Sequence, residues 1–170
     1  MNNRKKGQDL ILSAERLCER DLEGALREGD FSMAVRRAQE VADLALKGGL
    51  AVLGVEYPKI HDVGTDFADD VRKKIGEANR GTLDRIARVS THLCEERGPA
   101  FYGEKPYREG EARQAHRDAI FVLGKGKGDP TSLRMPPQVK RCSGFPAATV
   151  PRSGTRSVGR FGIWDPGEAI

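Results

Sequence analysis

The sequence predicts an all-α protein: an up-and-down bundle of four to five helices followed by a disordered C-terminal tail. Three observations carry this. Apolar residues recur at three- and four-residue spacing through most of the first 123 residues, no segment alternates with period two, and the composition changes abruptly after Leu123. Residues 1–123 hold 21 Lys+Arg against 22 Asp+Glu, net −1, whereas residues 124–170 hold 8 against 3, net +5. Gly and Pro supply 14 of those last 47 residues but only 15 of the first 123. The division is therefore a helical body over residues 9–123 and a Gly/Pro/Arg-rich basic tail over 124–170. Either the tail's Lys and Arg contact phosphates, or the segment is an aberrant extension of the reading frame.

The first helix runs from Leu10 to Leu26, with apolar residues at 10, 11, 14, 17, 18, 22, 25 and 26. Gly29 and Asp30 end it and cap the next. The second helix, Phe31 to about Gly54, begins amphipathic, but its second half, LALKGGLAVLGV, is apolar on nearly every side, so packing must surround it. Gly48 and Gly49 weaken an isolated helix by about 1 kcal/mol each, which points to another backbone approaching there. Pro58 breaks the chain, and Asp62 or Thr65 caps a charged third helix over residues 65–78. Thr82 to Arg97 forms a fourth, stopped by Gly98-Pro99, and Glu109 to Leu123 a fifth.

A body of about 120 residues buries enough surface to fold without disulfides or metal. Three widely spaced cysteines, Cys18, Cys94 and Cys142, include no Cys-x-x-Cys pair, and the N-terminal segment has no hydrophobic stretch for secretion. No run approaches the roughly 20 apolar residues of a membrane span. The expectation is a cytoplasmic protein away from membranes.

The run RDLEGALREGDFSMAVRRAQEVADLALKGGLAVLGVEYPKIHDVG resembles the opening helices of HEPN domains, the helical nucleotide- and RNA-associated domains of prokaryotes and higher eukaryotes. Carrying the resemblance are Asp21-Leu22, the Gly-Asp-Phe turn, Gln39 followed by Ala42 and Lys47, and the Pro58-Lys59-x-His61-Asp62 loop. ERGPAFYG and the helix with Glu111-Ala112 and Asp118-Ala119 extend it. It implies a bundle that forms a homodimer, as the apolar second half of helix two also suggests. It further implies either binding of RNA, a nucleotide or a minimal nucleotidyltransferase antitoxin in a toxin–antitoxin or defence system, or metal-independent ribonuclease activity. A third reading is a protein-interaction domain.

Catalytic members of the family carry an Arg, four to six residues, then His on a late helix. Arg85-IARVST-His92 fits, and Arg85, His92 and Glu96 fall within about 40° of one another on a helix, on the side away from Leu83, Ile86, Ser90, Leu93 and Cys94. Such a face could line a dimer cleft where His92 moves the proton of an RNA 2′-hydroxyl, with Arg85 and Arg88 stabilising the phosphorane-like charge. It could equally be a solvated helix surface. Arg97 is followed by Tyr102 where an Arg-x4-His pattern would place His, and Tyr, with a pKa near 10, is a poor general base at neutral pH, so binding is the alternative role there. Arg97 could also pair with carbonyls at the end of its helix.

His61 either contacts a ligand or bonds locally beside Asp62. Lys47 either snorkels to the surface or sits at a dimer cleft. His116, between Ala112 and Ile120, is expected to be a satisfied core or interface histidine. No metal site or cofactor is expected, because the three His are far apart in sequence and His92-x-Cys94 supplies only two ligands. GKGKGDP at 124–130 looks superficially like a phosphate loop but lacks the flanking strand and helix, which favours a linker.

Overall fold

Polar residues at the N-terminus hide the true start of the first helix. In the computed structural model, which describes residues 3–76 and 79–127, α1 spans Asn3–Leu17 and not only the residues from Leu10 onward. A π-helical turn, Cys18–Leu22, joins it to α2, Glu23–Glu28, so the three form one rod. Gly29, at φ 75°, ends the rod in the left-handed region, and Asp30 caps α3 by accepting from the Met33 N–H at 2.9 Å. Then follow α3 (Phe31–Val52), α4 (Gly64–Ile75), α5 (Arg80–Tyr102) and α6 (Glu109–Lys127). With the first rod counted once, these make five helical rods and no strand among the described residues, the all-α architecture expected. None of these helices is long and apolar enough to cross a membrane.

α3 is the axis on which α1, α5 and α6 all pack, while α4 lies chiefly against α5. Its small residues let the neighbours come close. A Cβ added at Gly7 would lie 2.6 Å from the Gly48 carbonyl oxygen, and one at Gly48 would lie 2.6 Å from Ile11 Cγ1 and 2.9 Å from the Gly7 carbonyl oxygen. Gly49 receives the Phe67 ring of α4, and Gly126 of α6 lies against the Ala45 backbone. Leu22, Leu46, Leu50, Phe67, Val71, Leu83, Ile86 and Leu93 fill the core between these contacts. The apolar half of α3 is thus enclosed by α1, α4 and α6 of its own chain. That corrects the sequence argument for a dimer, which needed this surface to be free.

Two helix ends also differ from expectation. α5 does not stop at Gly98-Pro99 but carries Pro99 inside it and runs to Tyr102. Proline lacks an N–H and crowds the preceding turn, so a helix continues past it only when other contacts hold the turn. Here Ala100 is buried, Arg36 of α3 lies over the Phe101 ring, and the Glu104 N–H donates to the Pro99 carbonyl as Gly103 turns left-handed. α6 passes Leu123 by one turn because Gly126 fits against α3 and Lys127 pairs with Glu15 of α1. Residues 124–127, expected to open the linker, are therefore helical. The expected disorder of the rest of the tail lies outside the described residues.

The stretch after α5 is secured through Glu96. Tyr107 donates to its carboxylate at 2.7 Å and lies 3.1 Å from its carbonyl oxygen, and Lys105 pairs with the same carboxylate at 2.6 Å. Burial pushes the Glu96 carboxyl up, but the bonds from Lys105 and Tyr107 outweigh this and hold it below the usual carboxylate range.

Two outcomes follow from this packing. Gly48→Ala should destabilise the fold by about 1–3 kcal/mol, because the backbone it meets cannot move aside as a side chain would, whereas Gly24→Ala, in open space on α2, should stabilise by about 0.5–1 kcal/mol. Urea denaturation of both variants checks the opposite signs. A depressed carboxyl pKa contributes stability that is present above its unfolded value and lost as pH falls through the folded one. Glu96→Gln should therefore be less stable than wild type at neutral pH, with the difference shrinking on acidification, as thermal melts across that range would show.

Candidate functional site

Gln39, Asp43 and Lys47 stand four residues apart, so α3 presents them as one stripe. Lys47 donates to Asp43 at 2.8 Å, and both side chains are largely buried, 14% and 12% exposed. Burial pushes the Asp43 carboxyl up. Lys47 opposes that shift first, then His61 and Arg97, whose charges also reach it. Lys47 of α3 thus contacts this carboxylate, while His61 of the α3–α4 loop and Arg97 of α5 act on it only at a distance.

Asp62 holds the loop that delivers His61. Its carboxylate accepts from Ser90 and Thr91 of α5, each at 2.7 Å, and from the Gly64 N–H at 3.2 Å. The N-cap of α4 is Val63, without a side-chain cap bond, so neither Asp62 nor Thr65 caps the helix as expected; Asp62 instead closes the turn before it and ties the loop to α5. Gln39 donates to the His61 carbonyl at 3.1 Å, so the local bond of His61 runs through its backbone while its side chain stays exposed. Gly64 lets the loop lie on α5, since a Cβ there would fall 2.4 Å from that of Ser90.

Several buried polar atoms of these residues have no hydrogen-bond partner among the described residues: Asp43 Oδ1, Arg97 Nε and Gln39 Oε1. Orphaned buried groups are uncommon, and here they lie on residues from two helices that meet. Arg97 does not sit at the end of its helix, because α5 continues past it, so pairing with terminal carbonyls is not its role.

The last turn of α5 adds an aromatic rim. Phe101 and Tyr102 are 48% and 74% exposed and meet edge to face, with centroids 4.9 Å apart. The Arg36 guanidinium lies 4.3 Å from the Phe101 centroid, and Glu40 steadies Arg36 and Arg37 at 3.2 and 2.6 Å.

Arg85 and His92 belong to a different face of α5, the one beside α6. Leu83, Ile86, Ser90 and Leu93 are buried and the Arg–His face is exposed, as the helical spacing requires. That face is not open solvent, however. The Arg85 guanidinium lies 3.9 Å from the Phe121 centroid on α6. His92 lines a groove of about 260 Å³ floored by Val35 and Leu93 and walled by Glu96, Tyr107 and Gln114. Seven residues of helix place the two roughly 10 Å apart along the axis, each against a different part of α6. Arg88 is exposed on the same helix.

Of the residues singled out in the sequence, the structure brings Lys47, His61 and Arg97 within electrostatic reach of Asp43, puts Tyr102 five residues beyond Arg97 on the same helix, and places Arg85, Arg88 and His92 along the side of α5 toward α6 or solvent. Asp43 and Arg36 were missed. The Asp43/Lys47 spacing of four was the readable signal, but any surface ion pair shows it. His116 is not the satisfied histidine expected, since its buried Nε2 has no partner among the described residues. Cys18, Glu23 and His116, which the sequence reading did not group, bring one potential ligand atom each within 4.8 Å of one another.

Neither the curated proteins nor the solved structures yield a match. The profile of the HEPN domain matches residues 8–128, which takes in all of α2 to α6 and the last two thirds of α1. With most of its length matched, this chain belongs to the HEPN domain family.

Proposed function

We propose that this HEPN domain is a binding module for a phosphate-bearing ligand, RNA or a nucleotide, and that the ligand occupies the cleft at Asp43. The observation that carries the reading is the buried Asp43–Lys47 pair on α3, with Arg97 Nε and Asp43 Oδ1 lacking partners among the described residues. A guanidinium suits phosphate oxygens, which it can engage through two parallel bonds. A free carboxylate oxygen suits a ribose hydroxyl, the group that marks RNA. The exposed Phe101–Tyr102 pair offers a face on which a base can stack.

The rest follows family precedent. The module works as a homodimer, and a minimal nucleotidyltransferase antitoxin is its partner in a toxin–antitoxin or defence setting. The dimer surface lies elsewhere than on the enclosed half of α3. A ribonuclease reading keeps one supporting observation, an exposed His92 on a groove beside Glu96. Against it, Arg85 is engaged with Phe121, and Tyr102 stands where a base following Arg97 would be needed.

Fluorescence anisotropy with a labelled single-stranded oligoribonucleotide tests the binding site. Arg97→Ala and Lys47→Ala should each weaken binding at least tenfold, about 1.4 kcal/mol, and lower the salt slope by about one. Tyr102→Ala, at an exposed position, should weaken it by about 1–3 kcal/mol without disturbing the fold. His92→Ala should bind like wild type. Equal affinity in all four variants refutes the site, and no RNA or nucleotide binding by wild type favours a protein ligand. Cleavage in excess EDTA that leaves 2′,3′-cyclic phosphate ends and disappears in His92→Ala would establish the ribonuclease instead. Light scattering should find two chains per particle at micromolar concentration, and a monomer there removes the dimer.

A further inference from the structure

The π-helical turn in the first rod has a local consequence for side chains. In a regular α-helix, residues five apart point about 140° away from each other. A π turn bonds residue i to residue i+5, which stacks such a pair on one side. Cys18 and Glu23 are that pair here, the Glu23 N–H donating to the Cys18 carbonyl. Opposite them α6 presents His116. The Cys18 Sγ, one Glu23 carboxylate oxygen and one His116 ring nitrogen all lie within 4.8 Å of one another, and the buried Nε2 of His116 has no hydrogen-bond partner among the described residues.

The geometry points to a zinc site formed by Cys18, Glu23 and His116, clamping the π-helical turn to α6. A tetrahedral zinc with bonds of about 2.0–2.3 Å holds its donors about 3.3–3.8 Å apart, so no pair of the three atoms needs to close by more than about 1.5 Å. Rotation of side chains supplies that movement. Among the described residues, the Glu23 carboxylate is restrained by a long ion pair to Arg27, at 3.7 Å with both side chains exposed, and such pairs are weak. A thiolate, an imidazole and one carboxylate suit zinc rather than magnesium or calcium, which prefer sets of oxygen ligands. On binding, the Cys18 thiol gives its proton to solvent and its sulfur bonds to the ion. His116 supplies a nitrogen lone pair, Glu23 an oxygen, and water the fourth position, with no change of oxidation state.

Cobalt(II), which reports its own geometry, tests the site on the full chain in a Cys94→Ser/Cys142→Ser background. One equivalent should bind and show a thiolate-to-cobalt charge-transfer band with the intense visible bands of four-coordination, and zinc should displace it. Cys18→Ala should abolish the charge-transfer band. His116→Gln and Glu23→Gln, at partly exposed positions, should weaken binding at least tenfold while circular dichroism stays that of the wild type. These two decide the matter if Cys18→Ala fails to fold. A charge-transfer band that survives in Cys18→Ala, affinity unchanged in both other variants, or no stoichiometric binding overturns the site. The oligoribonucleotide affinity is read separately, because the Asp43 cleft uses none of these residues.

Discussion

The backbone-to-backbone contact of α1 with α3 at Gly7 and Gly48 sets the arrangement of the whole bundle. A methyl group at either glycine would meet the opposite carbonyl oxygen at less than 3 Å, so the two helices can come this near only without side chains there. Phe67 against Gly49 and Gly126 against Ala45 repeat the device for α4 and α6. α3 is consequently surrounded in its second half. Small residues thus do here what bulky ones do in most cores, by letting backbones approach and extending dispersion contact along the helix.

On an axis so enclosed, even the polar stripe of Gln39, Asp43 and Lys47 is largely buried, and Gln39 bonds the loop after α3. Asp62 fixes that loop by drawing two hydroxyls of α5 and the first N–H of α4 onto one carboxylate. His61 is thereby held against α3, its carbonyl accepting from Gln39. Burial disfavours the charge of Asp43, and Lys47 beside it opposes that. Perturbed groups of this kind and ligands are commonly found together.

α5 divides the two candidate chemistries by its own geometry. Arg97 and the aromatic end lie toward α3, whereas Arg85 and His92 lie toward α6. Continuation of the helix through Pro99 matters to this division, because ending it at Arg97 would have freed Phe101 and Tyr102 from the position that Arg36 now holds. The near-neutral charge of residues 1–123 fits local recognition at such a cleft better than attraction by an overall positive field.

Periodicity and turn residues by themselves determined the all-α class, the order of the helices, the Gly29-Asp30 joint and the close approach at Gly48-Gly49, because each is a local pattern or a steric requirement of a single residue type. The order of short motifs identified the family. The start of α1 was illegible, since residues 3–9 have no apolar stripe and are helical through Gly7 packing on α3. The run of α5 past Pro99 and of α6 past Leu123 was illegible for a like reason, as contacts with α1, α3 and Glu104 outweigh local breakers there. Only the tertiary structure decided which charged residues come within reach of one another. Lys47, His61 and Arg97 come from three elements, as do Cys18 with Glu23 and His116 from two. A π-helical turn leaves no mark in composition, and no spacing along a chain records a distance across a bundle.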